Sequence, residues 1–212
     1  MRRAVTALAV AAAGCTSYST RMDATPVAPG EREVGLAVDL LVVERGRDPI
    51  ALPSPELSVQ RGLRPGVDLV GKLHLTGAEL STRFALRGAA GARLRLAAAG
   101  GLALGYQPVS NNTTDLVYAR AIPRLIVEYQ LAPSGVSLIA AASPSVELTG
   151  PLTMFAGVAG AARWILRPGS TLAVELPLSG RRLWLEITAQ PAYALGDGWL
   201  APSFQGGAAL WF

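Results

Sequence analysis

The chain has 212 residues, half of them hydrophobic, with a mean hydropathy of +0.35 and a formal net charge of +4. A single cysteine excludes an internal disulfide, and the absence of any apolar run of about eighteen residues excludes a helical membrane protein. The basic residues are spread singly rather than clustered, which argues against nucleic acid as a partner.

The amino terminus begins with a short basic region, Met1-Arg2-Arg3, and continues as the apolar run Ala4 to Ala13, too short to span a bilayer. Small residues then precede the cysteine, in the order Ala12-Ala13-Gly14-Cys15. Residues 1–14 therefore read as a secretory signal peptide. The same stretch resembles a lipobox, which implies lipidation of Cys15 as the first mature residue. The alternative is ordinary cleavage after an Ala-x-Ala, with Cys15 left as a free thiol. Residues 15–32 carry Ser, Thr and Pro with little periodicity and read as a tether.

From Glu33 to Phe212 strand-like segments recur between turn signals, and this region reads as one β-barrel domain, 33–212. The segments are 33–44, 56–63, 66–75, 78–87, 92–106, 116–131, 136–149, 152–166, 170–179, 182–195 and 200–212. Between them lie Arg64-Pro65, Ala132-Pro133-Ser134-Gly135, Gly150-Pro151, Arg167-Pro168-Gly169, Ser179-Gly180 and Gly196-Asp197-Gly198, pairs that supply fixed or positive φ. Short connections predict an antiparallel meander. Most segments reach the roughly 9–11 residues that a tilted transmembrane strand needs. Single-chain bacterial barrels normally have an even strand number, so the eleven segments predict ten or twelve strands.

Parity separates two faces. In 116–131 the odd positions Val117, Ala119, Ala121, Leu125, Val127, Tyr129 and Leu131 are apolar, against Tyr118, Arg120, Arg124, Glu128 and Gln130. In 182–195 the apolar set Leu183, Leu185, Ile187, Ala189, Tyr193 and Leu195 opposes Glu186, Thr188 and Gln190. The continuous face is the apolar one, as expected for lipid outside and a polar lumen inside. This segmentation puts Tyr129, Trp164, Tyr193 and Trp199 at one level as an interfacial girdle. Pro123, Pro144, Pro177 and Pro191 fall inside proposed strands, where each removes a ladder hydrogen bond, and Arg61 points toward lipid.

The last strand carries apolar residues at Leu200, Phe204, Ala208, Leu210 and the terminal Phe212. It resembles the assembly signal of bacterial outer-membrane barrels, with Phe204, Leu210 and Phe212 as its residues. Together with the signal ending at Cys15, the hairpin Leu57 to Leu75 and the run Gly77 to Leu86, the chain resembles bacterial outer-membrane β-barrel proteins with a lipoprotein-type signal peptide. The resemblance implies the fold, the outer membrane as location, its lipids as partners, and the barrel-assembly machinery during biogenesis. It carries no activity.

Inside the lumen, parity places Asp39, Asp68, Glu79, Glu128, Glu147, Glu175 and Glu186 against Lys72, Arg83, Arg87, Arg93, Arg95, Arg120, Arg124 and Arg163. Near balance of sign predicts a lumen filled by paired charges, because isolated buried charges are costly. A selective pore would show an excess of one sign. Arg120, Arg124 and Glu128 share one face of one strand and form the nucleus of the expected network, extended by Glu147, Arg163, Glu175 and Glu186. His74, the sole histidine, lies close in sequence to Glu79 and Ser81, the residue types of a hydrolytic triad. Its bland reading is a hydrogen-bonded lumen histidine. One cysteine and one histidine make no convincing metal site, and no Gly-rich loop opens a helix, so no cofactor is expected.

The chain thus reads as an all-β, antiparallel up-and-down transmembrane barrel with a charge-paired lumen and a structural or interaction role in the envelope. A narrow pore for small solutes is the alternative. A lipid-modifying enzyme using His74 is the third reading. A soluble lipocalin-like barrel is the alternative fold.

Overall fold

A computed structural model describes residues 19–45, 48–88, 92–107, 116–131, 135–151 and 162–212. Ten strands follow one another: β1 Arg32–Arg45, β2 Asp48–Arg64, β3 Val67–His74, β4 Gly77–Arg87, β5 Leu94–Gln107, β6 Leu116–Leu131, β7 Val136–Pro151, β8 Arg163–Leu178, β9 Arg181–Ala194 and β10 Gly198–Trp211. Each pairs antiparallel with its sequence neighbours, and β1 pairs with β10 from Gly35↔Trp211 to Val43↔Ser203, closing the barrel. Closure gives every strand a partner on both sides, which is what a β structure needs in lipid. Both ends of the barrel sequence, Arg32 and Phe212, lie at one rim, called proximal here. The longer connections, 108–115 and 152–162, start from the opposite, distal rim.

The period-two pattern is realised as predicted. Along β9, Trp184, Glu186, Thr188 and Gln190 are buried inside, while Leu185 and Ile187 face out. Outward Leu102, Leu172 and Ile187 are 67, 69 and 69% exposed, whereas inward Asp39, Asp68 and Arg83 are at 0%. A soluble barrel would reverse these values. Apolar outside and charged inside is the partition a lipid-embedded barrel requires.

Three expectations are corrected. The segments 152–166 and 170–179 are not two strands: β8 runs unbroken through Arg167-Pro168-Gly169, which had the composition of a turn, while 152–161 lie outside the described residues. Their fusion turns eleven segments into ten strands. It also reverses the direction of β6 relative to the final strand. Tyr129 therefore sits near the proximal rim, and Trp164, Tyr193 and Trp199 stay at the distal rim. The aromatics form two belts rather than one: Tyr106 joins the distal set, and Phe84 and Phe212 join Tyr129 at the other end. Third, β2 extends up to Asp48 through Pro53 and Pro55, a stretch that read as a connector. There it pairs only with β1, because short β3 reaches no further than Glu56↔His74, and an edge tolerates proline.

The strand prolines are aligned. Pro144 faces Pro168 across β7 and β8. Pairing of β6 with β7 stops at Ala121↔Val146 and resumes at Leu125↔Ala142 in the same register, which sets Pro123 opposite Pro144. Pairing of β8 with β9 breaks in the same way between Leu166↔Tyr193 and Ser170↔Ala189, with Pro168 opposite Pro191. One row of four prolines confines the missing donors to two gaps in an otherwise continuous ladder. Arg61 lies three residues before the end of β2, at the proximal rim, where its guanidinium reaches water.

The lipid-facing assignment gives a direct expectation. Ile187→Arg, at the outward centre of β9, should cost about 2–4 kcal/mol of barrel stability in a bilayer, read by urea titration in lipid vesicles. A soluble barrel would tolerate the same change on its wetted face.

Candidate functional site

Eight strands close an interior just wide enough for side chains to fill, so ten leave room for more. Here the extra space is occupied by the chain itself. The residues before β1, expected as a tether over 15–32, lie inside the lumen over their described part: Ser19, Thr20, Arg21, Met22, Asp23, Ala24 and Val27 are all buried. The signal segment 1–14 and Cys15 lie outside the described residues. The segment enters at the proximal rim, where Pro29 bridges to Gly62, and its amino end reaches mid-height beside Glu56 and Lys72. Pro26 and Pro29 lack the donors that would let it join the wall as an eleventh strand.

The polar side chains form stacked clusters around this segment. Nearest the proximal rim, Arg182 donates to Asp23 Oδ2 (2.8 Å) and Glu175 Oε2 (3.1 Å), and pairs with Glu33. Arg83 donates to Asp23 Oδ1 (2.7 Å), Asp68 Oδ1 (3.1 Å) and Gln60 Oε1 (2.9 Å). Glu128 pairs with Arg95 (3.2 Å) and accepts from Ser137 (2.8 Å) and the backbone amide of Ala24 (3.1 Å). At mid-height Arg21 pairs with Asp39 and with Glu56 Oε1 (3.2 Å), and its backbone amide donates to Glu186 Oε2 (3.3 Å). Trp184 donates its indole N–H to the same Glu186 oxygen (2.9 Å). Burial alone would lower the Arg21 pKa, but Glu56, Asp39 and Glu186 outweigh it and hold the guanidinium above its ordinary value. Asp39 can sit there because its neighbour across the ladder is Gly207, where a Cβ would lie 1.7 Å from Asp39 Oδ1.

Toward the distal rim, Arg124 clamps Glu79 with two bonds (2.6 and 2.9 Å), and Ser81 donates to Glu79 Oε1 (2.6 Å). Beyond it, Glu147 accepts from Arg120 (2.9 Å) and Arg167 (3.3 Å).

The expected network is therefore partly assembled. Arg120, Arg124, Glu128, Glu147, Glu175 and Glu186 all face the lumen and are all buried. The three on β6 share a face yet do not form one network: each turns to a different partner, Glu147, Glu79 and Arg95. Arg163 is not in the lumen; it lies at the distal rim, 57% exposed, paired with Asp197 at 3.0 Å. Arg87 and Arg93 are likewise exposed, at the proximal turn between β4 and β5. Sequence reading missed Arg21, Asp23, Glu56, Arg167 and Arg182. His74 lies half-buried at the distal end of β3. The Ser81 hydroxyl is given to Glu79 and both Glu79 oxygens accept from Arg124, so this serine and carboxylate belong to an ion-pair cluster. Phe204, Leu210 and Phe212 stand on the outward-facing parity of the final strand, with Phe204 and Phe212 exposed.

No protein-family model matches the chain, and no curated protein matches it in sequence. Among solved structures it is similar to Neisserial surface protein A, at 11% identity and a TM-score of 0.46, over 85% of this chain and 95% of that one. It is also similar to Ail, the attachment invasion locus protein of Yersinia pestis, at 11% identity and a TM-score of 0.34, over 87% and 99%.

The clusters rank by burial. Arg83→Met strands Asp68 in the lumen, takes one of two cations from Asp23, and should destabilise the barrel by about 3–5 kcal/mol. Arg163→Met breaks a wetted pair and should cost no more than about 1 kcal/mol. Paired urea titrations in vesicles measure both, and similar losses would deny the lumen its special status.

Proposed function

We propose that this chain is a non-conducting barrel of the bacterial outer membrane, with a structural or interaction role in the envelope. The single observation that carries the reading is a lumen occupied from the proximal rim to mid-height by the chain's own segment. Beyond that, Arg124–Glu79 and Arg120–Glu147 pairs continue toward the distal rim. Arg21 reaches Asp39 on β1 and Glu56 on β2 while the Ala24 amide holds Glu128 on the opposite wall, β6, so that contacts cross the path a solute would take. An exposed apolar outer face and two aromatic belts support the membrane assignment.

The proximal rim, with its short turns and Phe212, then faces the periplasm, and the rim carrying the longer connections faces outward. Lipids are the partner of the outer face. Delivery by the barrel-assembly machinery and lipidation at Cys15 belong to the same proposal. The charge-paired lumen acts as the barrel's filling: it satisfies buried polar groups and holds the wall round. An enzymatic role loses its footing where Ser81 donates to a carboxylate whose two oxygens are already clamped by Arg124, since nucleophilic activation needs a base free to take up that proton.

Two measurements check this. Membrane-extracted protein should migrate differently in SDS with and without boiling, as a closed detergent-resistant barrel does. Reconstituted in a planar bilayer, the full chain should give no steady single-channel conductance at neutral pH. Regular conductance steps would sink the non-conducting reading in favour of the narrow pore.

A further inference from the structure

The segment in the lumen is bound through its backbone as well as its side chains, and by side chains of the wall rather than by a strand ladder. Lys72 donates to the carbonyls of Ser19 and Thr20, Gln60 to that of Arg21 (3.3 Å), and Arg83 to that of Asp23 (3.0 Å). On the amide side, Arg21 N–H goes to Glu186 (3.3 Å), Ala24 N–H to Glu128 (3.1 Å) and Val27 N–H to Asp68 (2.9 Å). The three amides are spaced three residues apart. Side-chain N–H donors on the wall, two of them cationic, therefore read carbonyls, and carboxylates read amides. These backbone contacts do not depend on which side chains the segment carries.

Side chains add sequence specificity: Ser19, Thr20 and Thr25 bond Glu56, Thr171 and Glu128 through their hydroxyls, and two charged positions do more. Arg21 is surrounded by Asp39, Glu56 and Glu186, and it holds φ at 37°, the only positive φ at a non-glycine among the described residues. A left-handed arginine is uncommon, and here its ion pairs hold it in place. Asp23, two residues on, lies between Arg83 and Arg182. At the entrance, Gly62 is fitted to the passing chain: a Cβ there would lie 1.9 Å from the Ala28 carbonyl oxygen. Among the described residues, Pro29↔Gly62 is the one backbone bridge between the segment and the wall.

We infer that the lumen is a peptide-binding site, with residues 19–28 as its resident ligand. The ligand class is an extended peptide carrying a guanidinium two residues before a carboxylate, and a peptide of that chemistry supplied from outside exchanges with the resident segment. The inference rests on the closed-lumen reading above, because an empty lumen would have no resident to exchange.

The test uses the full chain with Cys15→Ser and Met22→Cys. Met22 is 0% exposed, so the introduced thiol reports whether the segment is in the lumen. In detergent, maleimide labelling of the folded barrel should be slow. A tethered segment competes at an effective concentration of roughly millimolar, so several-millimolar synthetic peptide Ser19–Ala28 should raise labelling severalfold. The same peptide with Arg21→Glu should leave it unchanged. Arg21→Glu within the chain itself should raise labelling on the order of a hundredfold by placing a fourth carboxylate among three, and Arg21→Lys should largely restore protection. Labelling that ignores both peptides, or responds equally to both, would overturn the inference. So would fast labelling of the unsubstituted-Arg21 chain. The peptide arm leaves every lumen charge in place, so it stands even where the Arg21→Glu chain does not fold. Conductance by the unaltered chain would remove the closed-lumen reading itself, whereas a silent barrel indifferent to peptide would remove only this inference.

Discussion

Everything inside this barrel is arranged by the cost of burying a carboxylate without a cation. Asp39, Glu56 and Glu186 come from three strands and meet near the mid-height of the lumen, where no bulk water screens them. The wall answers at that level with Lys72, whose ammonium is turned toward the carbonyls of Ser19 and Thr20. The cation that reaches Asp39 and Glu56 directly is Arg21, from outside the strand set. Filling the lumen and neutralising it are thus one act, done by one segment. A barrel of this width could hold water or a larger set of side chains. An extended peptide with one arginine does both jobs while adding a carboxylate, Asp23, that Arg83 and Arg182 bind in turn.

The wall meets a different constraint, the satisfaction of backbone donors in lipid. It tolerates at least four outward prolines by placing them opposite one another, so that the gaps in the ladder coincide across β6–β7 and β8–β9 while β7–β8 stays paired through Pro144↔Pro168. The unchanged register on either side of each gap shows that pairing is set by the alternating faces on both flanks. Behind the gaps the inward residues include Ser143 and Ser145 on β7, Gly169 on β8 and Gln190 on β9.

How much of this was legible depends on whether a residue belongs to a periodic element. The faces of β6, β7 and β9 and the terminal pattern ending at Phe212 follow from a period of two, which survives errors in strand boundaries. Direction does not survive them. Reading Arg167-Pro168-Gly169 as a turn split β8, and the split sent Tyr129 to the wrong rim and hid Arg167, which in the barrel reaches Glu147. Local turn chemistry was real there, but the aligned proline row overrode it, and that row is visible only once neighbouring strands are set in register. Arg163 failed for a related reason: its parity is inward, yet it stands at the rim where the barrel ends, so parity no longer means burial.

The segment 19–28 was invisible for a deeper reason. A strand in a wall has two environments and therefore a pattern, whereas a peptide inside a lumen has one environment on every side. Its residues alternate with nothing, and absence of periodicity reads as a solvated tether. What distinguishes it is composition against expectation: Arg21 and Asp23 stand two apart in a stretch otherwise of Ser, Thr, Met, Ala, Val and Pro, with prolines at 26 and 29 that keep it out of the sheet. A solvated tether has no need of a lone opposite-charge pair at that spacing. In a chain whose strands already enclose a charged lumen, such a pair has somewhere to go, and the geometric condition is only that the barrel be wide enough to admit one extended backbone. Ten strands meet that condition, so strand number, lumen charge and the fate of the preceding segment are linked consequences of one choice of barrel size.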